Sequence, residues 1–275
     1  MSEAFDPDWL ALREPADHAA RSAGATALLS LVAGALPSTR PPRVLDLGCG
    51  IGSNVRWLAP RLPGSQHWVL VDHDADLLDR AVLSLRRSPG DVLSASARHL
   101  SVSALRTGDL ADVDLVTGSA LLDLLTEPEL EHLVAVCASE GTPVLLALSV
   151  DGDVALAPSL PEDGLLREAF HAHQRRDRDG VRRLGPDAAG VARRLLRAHG
   201  CDVHAAETPW SLGSAQAALA VAWHDGWVAA AAEEHPDLAV VAAHARAVRR
   251  YQAGQGELRV KVGHVDLLAL PGQGS

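Results

Sequence analysis

A short apolar segment that runs directly into three alternating glycines constrains the fold of this chain more than any other feature. The segment covers residues 43–47 (Arg-Val-Leu-Asp-Leu), and Gly48, Gly50 and Gly52 follow it before a helical pattern begins. Glycine adopts backbone angles that other residues avoid, and it lets a ligand approach the main chain closely. The helix after such a turn presents unpaired N–H groups to ligand oxygens. The pattern therefore predicts a strand, a tight turn and a helix whose N-terminus faces a bound molecule.

Buried-strand and helical patterns keep alternating along the rest of the chain. Strands are predicted at 67–71, 113–116, 143–150 and 202–206, and a weaker one near 100–105. Helices are predicted at 75–87, 127–138 and 188–198. This alternation predicts an α/β fold with a mostly parallel sheet and helices on both faces.

The region before the first strand predicts a separate helical unit. Residues 1–40 are expected to form an N-terminal helical cap, with an Ala/Leu-rich helix over 16–36 that starts after Pro15. Residues 41–275 are then expected to form the main domain. An alternating strand over 258–270 is predicted to close it.

Two segments interrupt the regular alternation within the main domain. The first, at about 151–186, is charged, and the second, at about 213–251, carries two Ala-rich helical patterns separated by Pro236. We expect both to be insertions that cover the active site. The second is a helical insertion that precedes the last strand.

The bulk composition narrows the class of protein and of partner. The 275 residues are 47% apolar, enough for a packed core, and the three cysteines show neither disulfide nor metal-ligand spacing. The first residues lack a secretion-signal pattern, and no apolar run approaches the about 18 residues that span a bilayer. A cytoplasmic protein without a membrane segment is therefore expected. The net charge of −10 disfavours a nucleic acid and favours a small-molecule partner.

A second buried-strand pattern ends in an acid about 20 residues after the glycine turn. It is the run from Trp68 to Asp72. A carboxylate at the end of such a strand accepts two hydrogen bonds from a ribose diol. Capping of the following helix is the alternative role for Asp72.

Together, these two elements resemble the class I S-adenosylmethionine-dependent methyltransferases. The Asp-x-Gly-x-Gly-x-Gly spacing of Asp46 to Gly52 resembles motif I of that family and differs from the dinucleotide fingerprint Gly-x-Gly-x-x-Gly. The run 113–125 resembles the family's fourth strand and the loop that passes beside the methionine moiety. The resemblance covers 43–150 well and 202–270 loosely.

The resemblance implies a Rossmann-like sheet of seven strands, the last one antiparallel. It also implies S-adenosyl-L-methionine as cofactor and transfer of a methyl group to an O, N or C atom of a small metabolite. Within the glycine turn, Cys49 is interpreted as a small filler, not as a nucleophile. For the adenine amino group, Ser103 and Asp109 are both candidates. The cofactor-binding residues that the resemblance implies are Asp46, Gly48, Cys49, Gly50, Gly52, Asn54, Asp72, His73 and Ser119.

The charged run 170–180 is one candidate substrate region, since the family inserts substrate-contacting elements after its fifth strand. A general base is needed only when the acceptor must lose a proton, and His173 is a candidate for that catalytic role. His171, Gln174 and Arg175 are expected to contact substrate. The alternative is a solvated helix end, because Arg and Asp alternate here. No third ligand accompanies the two histidines, so no metal site is predicted.

Four further residues are candidates for the substrate side. Asp123 follows the fourth predicted strand and is the second catalytic candidate, although it could instead cap the helix near Glu127. Arg13 and Asp17 could face substrate from the N-terminal cap, or simply belong to a helix start with favourable acids. Trp210 could form a wall of the substrate pocket or pack within a loop.

Two other functions remain open at this point. A tRNA or RNA methyltransferase would use the arginines at 175, 176, 178, 182 and 183, which Asp177 and Asp179 dilute. A catalytically silent cofactor-binding partner subunit would use the long Ala-rich helices. The identity of the acceptor and the oligomeric state, monomer or homodimer, are not specified by the sequence.

Overall fold

The computed structural model describes residues 6–87, 92–178 and 180–272. Of the charged run, the side chain of Arg178 and all of Asp179 lie outside the described residues. The strands are β1 (Arg43–Leu47), β2 (Gln66–Asp72), β3 (Val92–His99), β4 (Leu115–Ser119), β5 (Val144–Ala157), β6 (Asp177–Arg178), β7 (Val181–Arg182), β8 (Asp202–Glu207), β9 (Trp210–Leu212) and β10 (Arg259–Leu270). The α-helices are α1 (Pro7–Gly24), α2 (Thr26–Ala35), α3 (Ser53–Leu58), α4 (Ala75–Arg87), α5 (Glu127–Glu140), α6 (Asp163–Arg175), α7 (Ala188–Ala198), α8 (Ala217–Glu234) and α9 (Ala239–Gly254).

The central sheet confirms the predicted α/β architecture. Its strand order is β3-β2-β1-β4-β5-β10-β8, and β9 adds an eighth strand beside β10. Strands β1 to β5 are parallel, whereas β10 is antiparallel to β5, β8 and β9. The antiparallel last strand is as expected; the extra strand β9 is not.

Both faces of the sheet are buried, which explains the continuous apolar runs of its central strands. On one face, Leu45 and Leu47 pack with side chains of α5 and α7. On the other, Val44 and Trp68 pack with side chains of α2, α3 and α4. Successive strand residues point to opposite faces, so each strand supplies both cores.

The sheet has a switch point between β1 and β4. From β1 the chain moves outward through β2 and β3 on one side and through β4 and β5 on the other. In open parallel sheets, ligands bind at the carboxyl ends of the strands beside such a point. The fold therefore places the glycine turn after β1 and the loop after β4 at the edge of one crevice.

Three elements have other boundaries than the sequence predicted: the strand near 100–105, the helix over 16–36 and the strand over 143–150. The weak strand near 100–105 is a short 3₁₀ turn at Val102–Ala104, because the third strand lies at Val92–His99, where small polar residues weaken the apolar signal. The single helix over 16–36 is two helices that meet at Ala25. Gly24 at that break lies against the Glu207 carbonyl: a Cβ there would be 2.0 Å from its oxygen.

The strand predicted at 143–150 continues to Ala157, because the equally long β10 pairs with it to its end. The two helices expected around Pro236 are present as α8 and α9. Within the described residues, no helix combines the length and the apolar character that crossing a membrane requires.

Candidate active site

The glycine turn after β1 has a backbone that side chains would not tolerate. Gly48, Gly50 and Gly52 have φ angles of +60°, +52° and +85°, in the left-handed region. A Cβ on Gly48 would also lie 3.0 Å from the Leu121 side chain after β4. The turn is closed by a hydrogen bond from Gly52 N to Cys49 O of 2.8 Å. The glycines therefore allow a tight loop without side chains at the edge of the crevice, and the amides of Cys49 and Gly50 are hydrogen-bonded to Val71 O and Asp72 Oδ2.

Asp72, at the carboxyl end of β2, is bound directly to this turn. Its Oδ2 accepts a hydrogen bond from Gly50 N at 2.8 Å, and its Oδ1 accepts one from Asp74 N at 3.0 Å. The side chain is 5% exposed. A carboxylate has about four acceptor positions, so each oxygen retains capacity for another donor. The neighbouring His73 ring lies 3.3 Å from Oδ1.

A cavity of about 120 Å³ lies between the turn, Asp72, α1 and the loop after β4. Its lining residues are Leu10, Arg13, Asp17, Gly48, Cys49, Gly50, Ile51, Ser53, Asn54, Asp72, His73, Leu77, Ser119, Ala120, Leu121 and Leu124. Most of the cofactor residues implied by the sequence thus lie around one space. Asp46 and Gly52 are not among the lining residues; they lie behind it. Burial raises the pKa of the Cys49 thiol, in keeping with a filler of the loop.

Asp46 belongs to a buried polar network behind the cavity. It is fully buried, and its Oδ1 accepts the Asn54 Nδ2 donor at 2.6 Å. The same Nδ2 lies 3.2 Å from Thr117 Oγ1. Within the described residues, Asp46 Oδ2 has no hydrogen-bond partner. Burial raises the pKa of Asp46 to about 7, because water that would stabilise its charge is excluded.

Arg21 of α1 extends this network to the last strand, and the sequence analysis missed it. Its Nη1 donates to Asn54 Oδ1 at 2.7 Å, and its Nε donates to Asp266 Oδ2 at 3.0 Å. The guanidinium also lies over the Trp57 ring, 3.8 Å from its centroid. Arg21 and Asp266 are 1% and 0% exposed. They are 245 positions apart, so no local pattern links them.

Arg13, Asp17 and Trp210 meet at the α1 side of the cavity. Asp17 accepts from Arg13 Nε at 2.9 Å, from Arg13 Nη2 at 3.2 Å and from Trp210 Nε1 at 2.9 Å. The Arg13 guanidinium lies 5.1 Å from the centroid of the Trp210 ring. His264, which the sequence analysis also missed, packs on the other side of Trp210 with a centroid distance of 5.2 Å. Burial, together with the charge of Arg13, lowers the pKa of His264 to about 3.

Asp123 lies in a short 3₁₀ turn after β4, and it does not cap the next helix. Thr126 and Glu129 form the capping box of α5 instead. Burial raises the pKa of Asp123, and the charges of Arg13 and Arg183 oppose that rise. The carboxyl group therefore retains a proton to higher pH than an exposed acid does. Asp123 is not among the residues that line the cavity, although Leu121 and Leu124 on either side of it are.

The charged segment of α6 lies apart from the cavity lining. His171 Nε2 donates to Gly152 O at 3.0 Å, and His173 Nε2 is 3.2 Å from Glu233 Oε2. Arg175 pairs with Asp187 through Nε at 2.8 Å and Nη2 at 2.9 Å. Gln174 packs against Gly185, whose Cβ would lie 3.1 Å from the glutamine Cβ. A substrate role for these four residues remains a prediction.

Neither sequence candidate for the adenine amino group lines the cavity. Asp109 binds Arg98 and the backbone N–H of Arg106, and Ser103 lies 3.0 Å from the Ser101 hydroxyl. Both roles stay open. Among the residues with described positions, no group of three or more His, Cys, Asp or Glu side chains is arranged to hold a metal ion.

The chain resembles known proteins in both sequence and fold. Residues 44–141 match the model of a family described as a methyltransferase domain. No curated protein sequence matches the chain. The solved structure of YcgJ from Bacillus subtilis is similar, with a TM-score of 0.51 at 12% identity over 90% of this chain and 98% of that one. This likeness shows a shared fold.

Two further solved structures match with lower TM-scores. Mycolic acid cyclopropane synthase CmaA1, complexed with S-adenosylhomocysteine and CTAB, has a TM-score of 0.46 at 13% identity, covering 87% of this chain and 83% of its own. Geranyl diphosphate C-methyltransferase from Streptomyces coelicolor A3(2) has a TM-score of 0.44 at 11% identity, covering 90% and 79%.

Proposed function

We propose that this chain transfers a methyl group from S-adenosylmethionine to an O, N or C atom of a small molecule, because residues 44–141 match the model of a methyltransferase domain. The observation that carries the proposal is the junction of the glycine turn with Asp72. Their hydrogen bond of 2.8 Å places the left-handed glycine turn and a carboxylate at the same cavity.

The residues around the cavity fit this cofactor. Asp72 has spare acceptor positions for a ribose diol, and the left-handed glycines leave the space that side chains would fill. Asp46 Oδ2 is a buried acceptor without a partner in the described chain, next to Asn54 on the cavity wall. When bound, the cofactor supplies an electrophilic methyl group on a sulfonium. The protein then has to align the acceptor and exclude water.

Asp123 is the better placed of the two catalytic candidates. Neither residue lines the cavity, but Asp123 lies between Leu121 and Leu124, which do, whereas His173 contacts Glu233 on a segment that contributes no lining residue. In our proposal Asp123 removes a proton from an O–H or N–H acceptor. Its raised pKa brings its basicity closer to that of such an acceptor than an exposed carboxylate would be.

The remaining alternatives have less support from the geometry. In the arginine-rich segment, Arg175 is paired with Asp187 and Arg176 with Glu233, so part of its charge is already neutralised. If the substrate were a nucleic acid, the protein would be expected to retain RNA in a salt-dependent manner. A silent partner subunit would bind cofactor without any turnover of its own.

Isothermal calorimetry with S-adenosylmethionine and S-adenosylhomocysteine tests the proposal. The wild type is expected to bind both, and Asp72→Asn is expected to weaken binding about 10- to 100-fold, because hydrogen bonds to a charged acceptor are lost. Asp76→Asn, an exposed acid in the first turn of α4, is the matched control and should bind normally. Absence of binding to the wild type, or unchanged affinity in Asp72→Asn, would refute the proposed cofactor site.

A further inference from the structure

Arg13 lies in the cofactor cavity itself, although its sequence position suggested contact with the acceptor. We propose that Arg13 binds the α-carboxylate in the methionine part of the cofactor, and that Asp17 and Trp210 hold its guanidinium in place. This inference rests on the proposed function. It assigns to the N-terminal helix the binding of this carboxylate, for which neither the glycine turn nor the strand ends supply a cation.

The helix α1 reaches the cavity with one face. Leu10, Arg13 and Asp17 follow a spacing of three and four residues, which places their side chains above one another on a helix. All three line the cavity. A Cβ on Gly50 would lie 3.4 Å from Leu10 Cδ1, so this face packs directly over the glycine turn. Arg13 is therefore one helical turn from Leu10, which contacts the glycine turn.

The hydrogen bonds of the cavity leave one cationic donor unused. Asp17 accepts three hydrogen bonds, from Arg13 Nε, Arg13 Nη2 and Trp210 Nε1. Arg13 Nη1, by contrast, has no hydrogen-bond partner in the part of the chain that the structure describes. A guanidinium carries five N–H donors, so this edge of Arg13 can still bind an anion.

The charges of the cofactor match this arrangement. Its sulfonium and α-ammonium groups are cationic, and its α-carboxylate is its one anionic group. Of the cavity-lining residues named above, Arg13 is the one Lys or Arg. Guanidinium and carboxylate form short, charge-assisted hydrogen bonds. With the ribose at Asp72, the amino-acid end of the cofactor is left for the α1 side.

The guanidinium is held before any ligand arrives. Asp17 fixes two of its nitrogens, and the Trp210 ring lies 5.1 Å from its centre. Trp210 is itself 2% exposed and belongs to β9, whose backbone pairs with β10. Such a rigid donor binds a carboxylate without first losing side-chain freedom.

Calorimetry with two ligands tests the proposal. S-adenosylhomocysteine carries the amino-acid part, whereas 5′-methylthioadenosine has the same adenosine and sulfur but neither carboxylate nor ammonium. Arg13→Gln is expected to weaken S-adenosylhomocysteine about 10- to 100-fold and to leave methylthioadenosine within about twofold of wild type. Trp210→Phe keeps an aromatic ring beside Arg13 but lacks the N–H donor to Asp17, so a smaller loss of affinity is expected, again for S-adenosylhomocysteine alone.

Arg61→Gln is the matched control, because Arg61 also lies over an aromatic ring, 4.6 Å from the centroid of Trp57, but does not line the cavity. It should bind both ligands normally. Equal losses for both ligands in Arg13→Gln, or no loss for S-adenosylhomocysteine, would overturn the carboxylate clamp. A wild type that binds neither ligand would instead overturn the proposed function.

Discussion

Replacing Asp46 by Asn should remove a pH-dependent loss of stability from the folded protein. The Asp46 carboxyl is fully buried, with one oxygen bound to Asn54 and the other without a partner among the described residues. Burial raises its pKa from 3.8 to about 7. Asparagine has nearly the same shape and stays neutral at every pH, so it occupies the site without the cost of a buried charge.

The magnitude follows from the difference in pKa between the folded and unfolded chain. The unfolded chain loses this proton near pH 3.8 and the folded chain near pH 7. Between these values the unfolded state binds fewer protons, so the free energy of unfolding falls by about 1.4 kcal/mol for each pH unit of increase. Above about pH 7 the decrease in the free energy of unfolding is complete, and it amounts to about 4 kcal/mol.

Urea unfolding of wild type and Asp46→Asn between about pH 4 and 8 measures this difference. The stability of the variant relative to wild type should rise by about 4 kcal/mol from the lower to the upper end of that range. Asp79→Asn, an exposed acid on α4, is the control and should show no such trend. Parallel pH profiles for wild type and Asp46→Asn would refute the reasoning.

Two further variants test the acceptor side and the anchoring of α1. Asp123→Asn should lower kcat about 100- to 10,000-fold with little change in cofactor affinity. As the pH decreases, the wild-type rate should begin to fall at a higher pH than it would with an exposed carboxylate, because burial raises the pKa of Asp123. Arg21→Met should reduce the free energy of unfolding by about 3–5 kcal/mol, because it leaves Asp266 buried without its cation. The double variant with Asp266→Asn should recover part of that loss.

Controls for these variants come from nearby residues. Asp112→Asn, an exposed acid before β4, should retain wild-type kcat, and an active Asp123→Asn would remove Asp123 from the proposed chemistry. Arg61→Met removes a guanidinium that lies over the same Trp57 ring as Arg21 but is exposed, so its effect on denaturant unfolding should be small. A loss below about 1 kcal/mol in Arg21→Met would contradict the anchoring role of the buried pair.

The proposed cofactor side was accessible to sequence reasoning because its signals are local. The left-handed angles at Gly48 and Gly50 are ones that glycine tolerates, and the strand before them is buried from Val44 to Leu47. Asp72 ends an equally clear strand pattern. The edge strand β3 gave a weak signal, since it alternates small polar residues and pairs on one side with β2.

The proposed acceptor side depends on packing between distant segments. The capping box at Thr126 occupies the start of α5 and so excludes Asp123 as its cap, while the role of Asp123 in the crevice stays a prediction. Trp210 and His264 come together because β9 and β10 pair beside α1. No periodic pattern in the sequence predicts that these two side chains are in contact.

The parallel core and the glycine turn could be predicted from the sequence, because backbone angles and strand burial depend on residues that are neighbours in the chain. Which side chains share the cavity with that turn depends on the folded structure. Arg13 enters from the first helix, and its partners Asp17 and Trp210 lie 193 positions apart. Contacts of this kind depend on how helices and strands pack against each other, and packing is a property of the whole folded chain.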